Sequence, residues 1–125
     1  MVIIGYITGG EGMRINKELV KGSTVILILT LLDRKPMYGY QLIKEIEEHS
    51  GGVFSLKEGT LYPILHSLES KGLVESYWSG EEGARRRKYY RIMDQGRLLL
   101  KEKKEEWGVF RTAVDRVLRG ALVWS

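Results

Sequence analysis

Ser55 to Gly72 reads SLKEGTLYPILHSLESKG, and the way this stretch folds decides how the rest of the chain is arranged. Ser55 followed three residues on by Glu58 has the form of a capping box, and Pro63 is tolerated only near a helix start, where its missing N–H costs little. The stretch predicts a helix that begins between Lys57 and Thr60 and closes at Gly72. Leu61, Ile64, Leu65 and Leu68 recur at helical spacing as its buried stripe. Thr60, Tyr62, His66, Ser67 and Lys71 are left for its other faces.

Two more helices precede it. Asn16 to Leu32 has a polar lead-in and then the run VILILTLL, which predicts a helix buried nearly all round; Asp33-Arg34-Lys35-Pro36 ends it, because proline displaces its predecessor from helical geometry. Tyr38 to Ser50 predicts the second, with Leu42, Ile43 and Ile46 on one face and Lys44, Glu45, Glu47 and Glu48 on the other. Gly51-Gly52 stops it.

Downstream, Leu73–Trp78 and Arg87–Ile92 are short runs rich in β-branched and aromatic residues, separated by a glycine-punctuated stretch of eight residues. They predict a β-hairpin with a longer loop. Within GEEGARRRKYYRI, Gly80 to Ile92, the cations Arg85, Arg86, Arg87, Lys88 and Arg91 have no acid between them. A disordered basic tail would not continue into Tyr-Tyr-x-Ile, so this charge sits on a folded hairpin, as a footprint for a polyanion or as a merely solvated face. Glu81 and Glu82 at the tip would repel a polyanion or orient the arginines in its absence.

From Asp94 to about Ala121 the chain predicts one long helix. Its seven-residue series are Leu100, Trp107, Val114, Ala121 and Lys103, Phe110, Val117, Trp124, apolar in all positions but Lys103. A helix of roughly 27 residues spans about 40 Å at its 1.5 Å rise, longer than the small head can cover, so the seam calls for a second subunit.

Composition narrows the function classes. The 125 residues, 43% hydrophobic and 29% charged, are those of an ordinary globular protein with no membrane-length apolar run, and a cytoplasmic location is expected. Net charge is +4, from 20 Lys+Arg against 16 Asp+Glu, so the local cation cluster says more than the total. Cysteine is absent and His49 and His66 are the only histidines, which excludes disulfides and thiolate metal sites and leaves no case for another metal or cofactor. No nucleophile is accompanied by a base and an orienting group, so no enzyme is expected. The opening MVIIGYITGGEG lacks the basic start and long apolar core of a signal peptide. Back-translation of Gly9–Gly12 yields a purine-rich ribosome-binding sequence before Met13, the expected natural start, with an added strand or arm as the competing reading. Residues 1–15 are accordingly read as an N-terminal extension, disordered or outside the natural protein.

Three helices, a hairpin and a terminal helix, in that order, describe a mainly α fold with a small β-hairpin: a winged helix-turn-helix over residues 16–93, followed by a C-terminal dimerisation helix over 94–125. Such a fold inserts its third helix into the major groove and sends the wing to the backbone or minor groove. It also serves as a protein-interaction module without a DNA target, which is the alternative. PMYGYQLIKEIEE, GTLYPILHSLESKGLV and GARRRKYYRI together resemble the PadR family of transcriptional regulators over roughly Leu19 to Asp94, and a C-terminal region of only one helix resembles its small, multidrug-sensing subfamily.

The resemblance implies a homodimeric repressor that binds an operator in double-stranded DNA. Thr60 and Tyr62 would touch the DNA, His66 would read or position, and Tyr38 and Tyr40 would lie near the backbone. Lys57 is a candidate for phosphate or a solvated helix start, and Tyr62 has a competing reading as an aromatic buried beside Pro63. In the wing, Arg85 and Arg86 are better placed as tip contacts than Lys88, and strand alternation turns some of Arg87, Lys88 and Arg91 away from DNA. Trp107, by its likeness to the drug-sandwiching tryptophan of similar sensors, is the candidate for a planar aromatic effector, against plain packing in the seam. Phe110 and Val114 would line the same cavity with apolar residues of the first helix, and Glu106 would favour a cationic guest. Leu100, Trp107, Phe110, Val114, Val117 and Ala121 are the expected dimerisation residues.

Overall fold

Helix α1 (Lys17–Arg34) opens the described part of the molecule; the structure, a computed structural model, describes residues 17–80 and 85–124, with side-chain surroundings for 19–80 and 85–120. The N-terminal extension with Met13, and Glu81 and Glu82 of the wing, lie outside the described residues. Thr24, Ile28, Leu29, Leu31 and Leu32 of α1 are buried. Thr24, a polar group at the centre of the core, keeps its cost low by donating from Oγ1 to the Val20 carbonyl at 2.6 Å. The expected all-round burial is not reached. Leu19 is exposed and Val25, Ile26 and Leu27 are half-buried, because the rest of the chain covers α1 on one side only.

Strand β1 (Met37–Tyr38) was not foreseen from the sequence. Two residues are too few to show period-2 alternation, yet they pair antiparallel with the later strand, Met37 opposite Tyr90 and Tyr38 opposite Tyr89. Helix α2 (Gly39–His49) follows directly and buries Leu42 and Ile46, as its amphipathic pattern predicts. Helix α3 (Glu58–Ser70) starts within the expected window and buries Leu61, Leu65 and Leu68. Its start differs in one respect: Lys57, not Ser55, is the N-cap, and no side chain caps it, so the capping box does not form. Pro63 lies at the sixth helical position, which leaves the Gly59 carbonyl without its intrahelical donor on an exposed turn.

Strands β2 (Val74–Ser79) and β3 (Arg87–Ile92) form the wing, with Ser76 opposite Tyr90 and Trp78 opposite Lys88; the sheet order is β1-β3-β2. Val74, Tyr90 and Ile92 bury their side chains against the helices, while Glu75, Tyr77, Arg87, Tyr89 and Arg91 share the other face by alternation. Helix α4 (Asp94–Trp124) has 31 residues, about 46 Å at roughly 1.5 Å each. Arg97 ties its first turn to the end of α1 through Asp33 at 3.3 Å.

The C-terminal helix requires a correction. Leu100 is 3% exposed and belongs to the core of its own chain, so its apolar surface is already spent and it is not free to face a second subunit. Leu98, on another side of α4, is exposed, and further along the helix the exposed large apolar residues are Trp107, Val109, Phe110, Val114, Val117 and Leu118. Ala121 lies in α4, but its side chain and that of Trp124 fall outside the described surroundings.

Candidate nucleic-acid interface

Packing sorts the residues of α3 into two sets. One anchors the helix: Leu61, Leu65 and Leu68 enter the core, and the half-buried Tyr62 reaches across to α2, where its hydroxyl and ring fill the space a side chain at Gly39 would need. The other set is solvent-facing and comprises Glu58, Gly59, Thr60, Pro63, His66, Ser67 and Ser70, with the exposed N-cap Lys57 just ahead of them. Thr60 and His66 therefore lie on the open side of the helix. Tyr62 combines the two readings made from sequence, since most of its ring is engaged in packing.

A chain of contacts links the first turns of α3 to the wing. Tyr62 meets Gly39; the preceding residue, Tyr38, caps α2 with extended backbone; and the Arg87 guanidinium lies 4.7 Å over the Tyr38 ring. Tyr38 also packs edge-on to Tyr89, with centroids 5.4 Å apart, and Tyr89 stacks on Tyr77 at 5.8 Å. Tyr38 is thus half-buried within an aromatic row, whereas Tyr40 is exposed, with the Lys44 ammonium 5.9 Å over its ring. At the far end of α3, the Ser76 hydroxyl donates to Glu69 Oε2 at 2.5 Å and holds β2 against the helix. Near these groups, Tyr90 is buried, and its phenol is pushed above its ordinary value, first by desolvation and then by the negative charge of Glu69 and by Tyr62.

The wing cations are not equivalent. Arg85 and Arg86 are exposed beside Gly80, whose backbone has φ +144 and whose Cα comes so close that an added Cβ would lie 3.0 Å from the Arg86 Cα. Arg87 leans on Tyr38, and Arg91 stacks 4.6 Å over Tyr77 and pairs with Glu75 at 2.7 Å. Lys88 points to the opposite face, 5.8 Å over the buried Tyr90. Stacking on a ring face leaves a guanidinium's outward N–H groups free, so these arginines are held in place yet still able to donate to an anion.

A second recess lies between α1 and α4. Leu19, Gly22, Ser23 and Ile26 face Lys103, Glu106, Trp107 and Phe110 across a groove of about 310 Å³. Trp107 and Phe110 stack there, with centroids 5.7 Å apart and planes 28° from parallel. Val114 does not join them; with Phe110, Ala113, Val117 and Leu118 it lines a shallower apolar hollow further along α4. The α1 side of the groove was foreseen from the sequence only as unnamed apolar residues. Half-burial of Ile26 and exposure of Leu19 supply the detail. Among the described residues no cluster of His, Asp or Glu could hold a metal ion, and no helix is long and apolar enough to cross a membrane.

Comparison with known proteins gives consistent matches. Residues 28–102 match the family model described as the transcriptional regulator PadR-like family. A PadR family transcriptional regulator from Eggerthella lenta is 40% identical, with a TM-score of 0.71, over 81% of this chain and 86% of its own. A transcriptional regulator from Clostridium thermocellum superposes with a TM-score of 0.74 at 33% identity, covering 80% and 97% of the two chains. The transcriptional regulator Rv3488 of Mycobacterium tuberculosis is 33% identical over 86 residues, 69% of this chain and 77% of its own length.

Proposed function

This chain belongs to the PadR-like family of transcriptional regulators, and on that premise we propose that it acts as a homodimeric repressor whose operator binding is relieved by a planar aromatic effector. In each protomer, α3 enters the major groove with Thr60 and His66 toward the bases. Lys57, Tyr40, Arg85, Arg86 and Arg87 neutralise or position phosphates along the flank. The observation that carries the reading is the chain of packing contacts, Tyr62 on the buried Gly39 and Arg87 over the adjacent Tyr38, that ties α3 with its open face to the cations of the wing. Nothing in the core requires cations there, and a duplex supplies the matching charge.

The dimer pairs the exposed apolar stripe of α4, Trp107, Phe110, Val114, Val117 and Leu118, with the same stripe of a second copy. Two-fold symmetry then sets the reading helices about one DNA turn, roughly 34 Å, apart. An effector stacked on Trp107, with Glu106 favouring a cationic one, changes the angle between the heads. Such coupling is reciprocal, so DNA weakens effector binding by the same factor.

The test selects duplexes from a randomised pool and measures anisotropy of the winner against a scrambled duplex at two salt concentrations. Discrimination of about 1000-fold is expected. Arg86→Ala should weaken binding to every sequence and reduce the salt slope by about one ion. A pool that yields no winner would replace this reading with that of a protein-interaction module.

A further inference from the structure

Trp78 is an exception among the aromatic residues of the wing. Tyr38, Tyr77 and Tyr89 pack against one another and Tyr90 is buried, whereas the Trp78 indole is 61% exposed and makes no aromatic or cation–π pair among the described residues. Alternation along β2 places it on the same face as Val74 and Ser76. That is the face on which α3 packs, through the Glu69–Ser76 hydrogen bond. Trp78 lies two residues past Ser76, beyond the edge of the core, so the helix no longer covers it.

Its surroundings are cationic. Lys88 is its cross-strand partner on the same face, whereas Arg87, opposite the next residue Ser79, is turned to the other face against Tyr38. Arg85 and Arg86 are exposed on the returning side of the hairpin, beside Gly80. The exposed part of the ring gains no burial free energy within the chain, which leaves an apolar surface open to a partner. Among cations, the ring suits a partner that offers negative charge and apolar surface in close alternation. The phosphate and deoxyribose of a DNA strand do so.

We propose that Trp78 contacts DNA directly, its ring lying against deoxyribose at the edge of the minor groove while the neighbouring arginines hold the flanking phosphates. The proposal rests on the reading of α3 and the wing as a DNA interface, and adds to it an apolar contact that fixes how deeply the wing sits.

The test uses the full-length protein and the duplex it selects from a randomised pool. Trp78→Ala is expected to weaken binding by about 10- to 100-fold, the loss of one buried aromatic contact, with an unchanged salt slope because no phosphate contact is lost. Trp78→Phe should retain most of the affinity. Protein labelled with 5-fluorotryptophan gives one fluorine resonance for each of its three tryptophans, and the Trp78 signal is the one absent from Trp78→Phe. On adding the duplex that signal should shift and lose its solvent isotope effect. Parental affinity in Trp78→Ala, or a Trp78 resonance that keeps its solvent isotope effect in the complex, overturns the proposal. Should Trp78→Ala fail to fold, the fluorine measurement on the parent decides alone. A pool without a winner removes the DNA reading and this proposal together, whereas a binding parent with a solvent-open Trp78 removes the proposal only.

Discussion

Gly39 and Gly59 lie in the first turns of neighbouring helices, and only one of them is demanded by packing. A methyl group at Gly39 would run into the hydroxyl and ring of Tyr62. Gly39→Ala should therefore destabilise the protein by about 1–3 kcal/mol, as overpacking does, and pairing it with Tyr62→Leu should recover part of the loss; urea denaturation of the single and double variants checks this. Gly59 has open space where a side chain would go. In an exposed helix the glycine costs about 0.5–1 kcal/mol relative to alanine. Gly59→Ala should raise the urea midpoint while weakening duplex binding in anisotropy, if the bare backbone there lets a DNA strand come close. Loss of both properties would assign Gly59 to folding. The sequence shows the two glycines alike, since neither has a positive φ and only the neighbour across the gap distinguishes them.

At the scale of elements, the wing is held by its own strands and by α3. The buried Tyr90 phenol keeps its proton more tightly in the folded chain than in the unfolded one, because burial and the nearby Glu69 both disfavour the phenolate. The folded pKa is raised, so this contribution to stability is complete below the ordinary tyrosine value of about 10 and is lost as pH rises through the folded value. Tyr90→Phe should accordingly lose less stability than the parent between about pH 9 and pH 11, measured by urea denaturation across that range. Parallel losses in the two proteins would show that Tyr90 carries no such term. Helix identity was legible in the apolar spacing of α2 and α3, because one-sided burial imposes a helical period. The capping box was misread. Ser55 and Glu58 satisfy its spacing, yet the chain enters α3 at Lys57. Strand β1 was illegible because its two residues owe their structure to pairing with Tyr89 and Tyr90, half a chain away in sequence.

For the whole molecule, the long helix divides into two parts that the heptad count merged into one. Leu100 belongs to the head, and Val117 lies on the exposed stripe. Leu100→Ala should cost about 2–5 kcal/mol of stability as a core truncation. Val117→Lys should leave the fold intact but shift the protein toward monomer in sedimentation velocity, and with it weaken binding to a two-half-site duplex. A Val117→Lys protein that sediments as the parent does would remove α4 from the proposed dimer interface.

Local pattern alone was enough to determine the order of helices, the hairpin, the cation cluster and the motifs that resemble PadR, because each depends on neighbours within a few residues: spacing sets a buried face, and glycine and proline set its limits. Tertiary structure decided what depends on distant neighbours. It drew Leu100 into the head and fitted Tyr62 over Gly39. It also left Trp78 beyond the cover of α3. The physical reason is that exposure belongs to the packed arrangement. A residue's type states what it would prefer to bury, and only the surrounding chain determines whether anything is there to bury it.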